Sequence, residues 1–234
     1  MTHLPAFHPT ARAIGSARRR APRLAIATAI ACGLGLAEGV PAVAGTVLRG
    51  RVQIPATVPA RAGQTAGSRA SVNATDAVIY VTEKPGAEKP RLAGRPGHAK
   101  VDLAGEGFSP GVLAVTVRSK VQFRNRGHVY HSLFSVSPAG RSDLGSLAPG
   151  ERRETRFDQP GVYNLFCQLH PSAAAFVIVC PNWFHTRASA SGDYVLPPLP
   201  RGVYVLHAWH PRLGEIRRPI EVTGRDVIRL DLSF

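Results

Sequence analysis

The sequence predicts an all-β protein: a sandwich or barrel of Greek-key type, with a second small β unit after it. Three observations predict this class. Short runs of alternating or β-branched residues recur at close intervals from residue 47 onward. Twenty-three Gly and twenty Pro break the 234 residues into short segments. No window carries an amphipathic helix longer than two turns. A hydrophobic content of 44% with 19% charged residues is that of a globular chain, too apolar for disorder.

Residues 1–44 read as an export signal. Arg12, Arg18, Arg19, Arg20 and Arg23 precede an uncharged run over 24–37, and Pro41-Ala42-Val43-Ala44 offers the small residues a signal peptidase needs, with cleavage after Ala44. The run is short for a membrane span and Glu38 ends it, so no stable anchor is expected after cleavage. Cys32 does not sit in a lipoprotein site, because Ala29 stands where Leu is needed. General and twin-arginine export both stay open. The expected location is periplasmic or secreted. Removing five Arg and one Glu from 29 basic and 15 acidic residues leaves 24 and 14, a charge of +10. That excess suits an acidic protein or an anionic surface. Aromatic and basic residues do not interleave as in nucleic-acid modules, so no nucleic-acid partner is expected.

Strands are expected at 47–54 (VLRGRVQI) and 77–82 (AVIYVT), separated by a mobile Ala/Gly/Ser/Pro-rich loop over 55–75. A Pro/Gly-rich linker comes next, over 84–97. Further strands are expected at 99–103, 112–117, 120–123, 132–136, 154–157, 162–166 and 176–180, with Arg118-Ser119 as a turn. After Pro181-Asn182 come strands at 194–196, 202–209, 217–222 and 227–232.

The chemistry concentrates at Cys167-Gln168-Leu169-His170, a thiol and an imidazole three positions apart just after a strand. Upstream, His131 opens another strand after the polar turn 125–128. One thiolate with two imidazoles is the equatorial donor set of a blue-copper site. A buried thiol used only for packing is the alternative reading of Cys167. Cys180 ends the strand after the ligand loop. In an antiparallel pair it falls more than ~10 Å from Cys167, too far for a disulfide, so a buried free thiol is expected there. His128 reads as a loop residue, with a rim or supporting role beside the ligands as the lesser alternative. His98 and His185 read as surface residues, and His207 and His210, flanking Trp209, as packing and turn chemistry. No hydrolase triad, phosphate loop or zinc-protease motif is visible, and no enzymatic activity is expected.

Residues 98–180 resemble the cupredoxins, in particular the amicyanin-like and plastocyanin-like group. Val121-Gln122-Phe123-Arg124-Asn125 resembles the strand before the family's first ligand. Tyr130-His131-Ser132-Leu133-Phe134-Ser135 resembles its H-N-V-F-S segment, with Ser132 where Asn is usual. Pro160-Gly161-Val162-Tyr163-Asn164-Leu165-Phe166-Cys167-Gln168-Leu169-His170-Pro171 resembles P-G-x-Y-x-F-C-x-x-H-P. The resemblance implies one copper ion held by His131, Cys167 and His170, and one-electron transfer to a redox partner protein, for which the positive charge of the chain suits an acidic one. His170 would be the electron port, with Phe134, Leu169 and Pro171 around it. The family's axial Met is missing: that position is Ala173, and the chain's single Met is Met1. Copper would then be three-coordinate, take a backbone carbonyl near Tyr130, admit water, or have been lost. The reading from another class is a non-redox binding or scaffold module with a degenerate metal site.

Gly192-Asp193-Tyr194-Val195-Leu196 and Leu199-Pro200-Arg201-Gly202-Val203-Tyr204-Val205-Leu206 resemble carboxypeptidase-regulatory-like, transthyretin-like sandwiches, and Gly50-Arg51-Val52 with Ala77-Val78-Ile79-Tyr80-Val81 fit that fold's first strands. The combination resembles the methylamine-utilisation-protein-like group. It implies a cupredoxin-like domain over 86–181, inserted in an outer sandwich of 45–85 with 182–234, in a chain expected to be a monomer.

Overall fold

Alternating inward and outward side chains give this chain its sheets. The computed structural model describes residues 45–55, 72–85, 92, 94–105, 107–224 and 227–234. The expected signal over 1–44 and much of the expected loop and linker lie outside the described residues. Where the loop is described, a single 3-10 turn spans Ala74–Asp76.

The described residues form strands β1 (Val47–Gln53) and β2 (Val78–Glu83), then β3 (His98–Ala104), β4 (Gly107–Ser109), β5 (Val112–Thr116) and β6 (Lys120–Asn125). Next come β7 (His131–Ser137), β8 (Gly140–Leu147), β9 (Arg152–Arg156), β10 (Gly161–Cys167) and β11 (Ala174–Cys180). The order continues with β12 (His185–Arg187), β13 (Asp193–Val195), β14 (Gly202–His210), β15 (Gly214–Val222), β16 (Val227–Arg229) and β17 (Leu232–Ser233). The protein is all-β, with no α-helix among the described residues. No helix among them is long and apolar enough to cross a membrane.

Two sheets, β5-β11-β10-β7-β8 and β4-β3-β6-β9, enclose one core that includes Val101, Leu103, Phe123, Leu133, Leu165 and Val177. Two others, β12-β2-β14-β15 and β13-β1-β16 with β17 on β1, enclose a second core that includes Leu48, Ile79, Val81, Tyr204 and Leu206. β11 explains its own dense apolar run. Val177 and Val179 face the first core, while Ile178 and Cys180 face Val78 and Trp209 of the second unit. A strand buried on both faces does not alternate. Phe176 and Trp209, with ring centroids 5.2 Å apart, extend that contact.

Each sandwich carries a tyrosine whose hydroxyl reaches back to the carbonyl four residues earlier. Tyr163 lies 3.1 Å from Gln159 O and 3.0 Å from Ala139 O, and Tyr204 donates to Pro200 O at 2.9 Å. Such corners pin the entry into a strand.

The sheet register bears on both cysteines. β10 and β11 pair antiparallel from Gly161↔Val179 to Phe166↔Ala174, so Cys180 lies at the end away from Cys167, and both thiols are free. Burial pushes the Cys180 thiol well above the ordinary thiol range.

Several features depart from the sequence reading. β4, β8 and β12 have no counterpart among the expected strands. β8 is half polar and is broken by Gly145, whose φ of 66° serves a bulge where the register shifts opposite Leu133 and Phe134. His185 is not a surface residue. It is half-buried where the two sandwiches meet, 3.2 Å from Thr116 Oγ1, and burial lowers its pKa. His98 is exposed as expected. His207 packs: it stacks on Tyr80 at 4.6 Å and bonds Thr82 Oγ1 at 2.9 Å and Glu215 Oε1 at 2.8 Å.

Tyr204→Phe leaves the half-buried Pro200 carbonyl without its donor. It is expected to lower unfolding stability by about 1 kcal/mol, seen as a lower denaturant midpoint at unchanged slope. An unchanged midpoint would show that the corner contributes nothing.

Candidate metal centre

The cluster is assembled by strand pairing. β10 runs antiparallel to β7 with Leu165↔Ser135, Phe166↔Phe134 and Cys167↔Leu133 in register. In a strand every second side chain shares a face, so His131, Leu133 and Ser135 point inward together, as do Tyr163, Leu165 and Cys167. One bond beyond the ladder, Gln168 N donates to Ser132 O at 2.8 Å and ties the loop after Cys167 to the His131 strand. That loop turns tightly, with Ala173 N donating to His170 O at 2.9 Å, and so brings the His170 ring back over Cys167.

The sequence alone marks Asn125 as the end of a strand and the start of a turn. It is a buried organiser. Its Nδ2 donates to Val129 O at 2.7 Å and Leu147 O at 3.0 Å, and its Oδ1 accepts from Gly127 N at 3.0 Å. These bonds fix the loop that leads into His131. Leu147 is also the register partner of His131. The signal available in the sequence was an amide residue ending an alternating strand, at the position where the next inward side chain belongs. His128, by contrast, stands exposed in the loop and is not part of the cluster.

Cys167 Sγ lies 3.6 Å from His131 Nδ1 and 3.4 Å from His170 Nδ1. One donor atom from each of the three residues lies within 4.8 Å of the others. His131 and Cys167 are buried, and His170 is half-buried at the surface end. The two imidazole rings are tilted by 45° with centroids 4.8 Å apart. All three residues expected from sequence are therefore brought to one point.

The donor set fits a soft or borderline cation. An ion about 2.0 Å from each nitrogen and about 2.3 Å from sulfur, in a trigonal arrangement, separates those atoms by about 3.5–3.7 Å. The two observed sulfur–nitrogen separations are close to this. Thiolate with imidazole suits copper and zinc and excludes magnesium or calcium. Electrostatics agree. Burial, and then the charge of His170, push the His131 pKa down, which favours the neutral ring that can donate a lone pair. His131 Nε2 is buried without a hydrogen-bond partner among the described residues. An orphaned buried polar atom carries a cost that a residue kept only for packing would shed. Ala173 is 3% exposed beside the cluster and brings no donor atom.

No protein-family model matches the chain, and no curated protein matches it. Among solved structures, the chain is similar to a novel purple cupredoxin from Nitrosopumilus maritimus, at 25% identity and a TM-score of 0.32, over 35% of this chain and 98% of that one. It is similar to a mutant of amicyanin in its Cu(I) form, at 26% identity and a TM-score of 0.32, over 34% of this chain and 79% of that one. A Cu-containing nitrite reductase from Thermus scotoductus SA-01 is similar at 26% identity and a TM-score of 0.33, over 38% of this chain and 23% of that one. Each likeness is partial, and the case for a metal centre rests on the donor atoms of this chain.

Proposed function

We propose that this chain is an exported cupredoxin-like protein that holds one copper ion through His131, Cys167 and His170 and passes single electrons. The observation that carries the proposal is the meeting of one sulfur and two imidazole nitrogens from β7, β10 and the loop after it, all within 4.8 Å. When bound, copper supplies a Cu(II)/Cu(I) couple. The chain's residues do the rest. Cys167 offers a soft thiolate, and the two rings offer nitrogens acceptable to both oxidation states. The core around Leu133 and Leu165 excludes water, and the two strands hold the donors in place so that little has to move between states. His170, nearer the surface than His131, is the exit for the electron.

We further propose the domain plan that the resemblance implies: a cupredoxin-like domain over 86–181, inserted in an outer sandwich of residues 45–85 and 182–234, behind a signal over 1–44. The separate cores of the two sheet pairs support the plan. Ala173 favours a second reading, a binding or scaffold module whose metal site has degenerated, since a donor is missing where an axial ligand would stand.

Titration of the mature protein with Cu(II) separates the two. Electron transfer at this cluster predicts an intense thiolate-to-copper charge-transfer band in the visible, absent in Cys167→Ala. Failure of both proteins to take up copper would leave the scaffold reading. A second variant addresses the axial side. Ala173→Met places a thioether there, which stabilises the oxidised ion, so the reduction potential is expected to fall relative to the parent. An unchanged or higher potential would mean that position 173 does not face the metal.

A further inference from the structure

The outward face of the β3-β6-β9 sheet carries an arginine groove beside the metal centre. By register, its side chains form three rows: His98, Lys120 and Arg156; Lys100, Gln122 and Glu154; Asp102, Arg124 and Arg152. Ion pairs offset much of the charge in the first two. Glu154 takes Lys120 at 2.9 Å, and Arg156 takes Asp158 at 2.8 Å. The third row is different. Asp102 accepts both arms of Arg124, at 2.7 and 2.8 Å, and Arg126 reaches the same carboxylate at 3.2 Å. Arg152, exposed and directly beside Arg124, has no acidic partner among the described residues. Two guanidinium groups thus share one carboxylate and the third has none, an excess of two positive charges.

These three arginines line an open groove of about 660 Å³ together with His128 and the Pro149-Gly150 turn. The groove reaches the metal end of the sandwich, because Asn125 forms part of its wall and also holds the loop before His131. On the same loop Val129 is 43% exposed and Tyr130 59%. Leu169, 54% exposed, stands on the neighbouring ligand loop. Large apolar side chains left in water beside arginines in excess of their carboxylate have the composition of a protein interface: aromatic and apolar centre, arginine at the edge, little lysine. A guanidinium pairs with a carboxylate through two parallel hydrogen bonds.

We infer that this end of the molecule is the docking face for an acidic partner protein, with Arg126 and Arg152 taking carboxylates and Val129, Tyr130 and Leu169 making the apolar contact next to His170. That the partner is a redox protein rests on the copper reading; the acidic character rests on the groove alone. Charges at such an edge act chiefly on the rate of encounter and its salt dependence.

The test uses the mature chain labelled for amide NMR, with two probes: the inert trianion hexacyanochromate(III), and a synthetic glutamate-rich peptide carrying phenylalanine. At low salt, hexacyanochromate is expected to broaden amides around Arg126, Gly127, Gly150 and Arg152. The peptide is expected to shift those amides together with Tyr130 and Leu169. Both effects should vanish in Arg126→Glu/Arg152→Glu and in high salt. Broadening spread over both sandwiches, or peptide shifts that survive the charge reversal, would overturn the inference. So would co-sedimentation with phosphatidylglycerol vesicles that the double variant abolishes while the peptide shifts nothing, since the face would then belong to a membrane. None of these readouts needs copper, so a chain that fails the Cu(II) titration yet gathers both probes in the groove keeps the docking face and loses only the redox role.

Discussion

The pairing of β10 with β7, with Cys167 opposite Leu133, decides whether this molecule has a metal centre at all. A slip of one residue in that ladder turns every side chain of β10 to the other face. Cys167 would then leave the core and Phe166 would enter it. The register is held from both sides: β11 pairs with the far edge of β10 over six residue pairs, and Gln168 N to Ser132 O extends the ladder past the ligand strand. Leu165 and Tyr163 bury on the same face as Cys167, so the apolar pattern that folds the sheet also aims the sulfur.

A thiol and two imidazoles in one buried corner are costly for a protein that does not use them. His131 is fully buried, its pKa is held down by that burial, and its outer nitrogen finds no partner among the described residues. An apolar side chain of similar volume would avoid that cost. The buried Asn125 points the same way. It places three hydrogen bonds so that a polar loop can lead directly into a buried histidine. The surroundings are organised around the donors rather than the donors filling leftover space.

Much of this was legible in the sequence, for identifiable reasons. β6 alternates cleanly, β7 and β10 are rich in apolar and aromatic residues, and β11 is a dense apolar run, so the strands that carry the cluster announce themselves. The Cys167–His170 spacing and the position of His131 at a strand start point to the donor set. What stayed hidden depends on pairing rather than on local pattern. β8 reads as a polar, Gly-broken segment and becomes a strand only because β7 offers it an edge. His185 looks like a surface histidine until β5 of the first sandwich is seen to pack against it. Asn125 looks like a turn residue until Val129 and Leu147 are seen to converge on its amide. The arginine groove comes from β6, the loop after it and β9, and no stretch of sequence places Arg124 beside Arg152.

X-ray absorption at the copper edge of the metal-loaded mature protein reads the donor set without an intermediary. One sulfur scatterer and two imidazole nitrogens are expected around a single ion, with the sulfur contribution lost when Cys167 is replaced. A shell of nitrogen and oxygen alone, or one with two sulfurs that draws in Cys180, would refute the copper assignment.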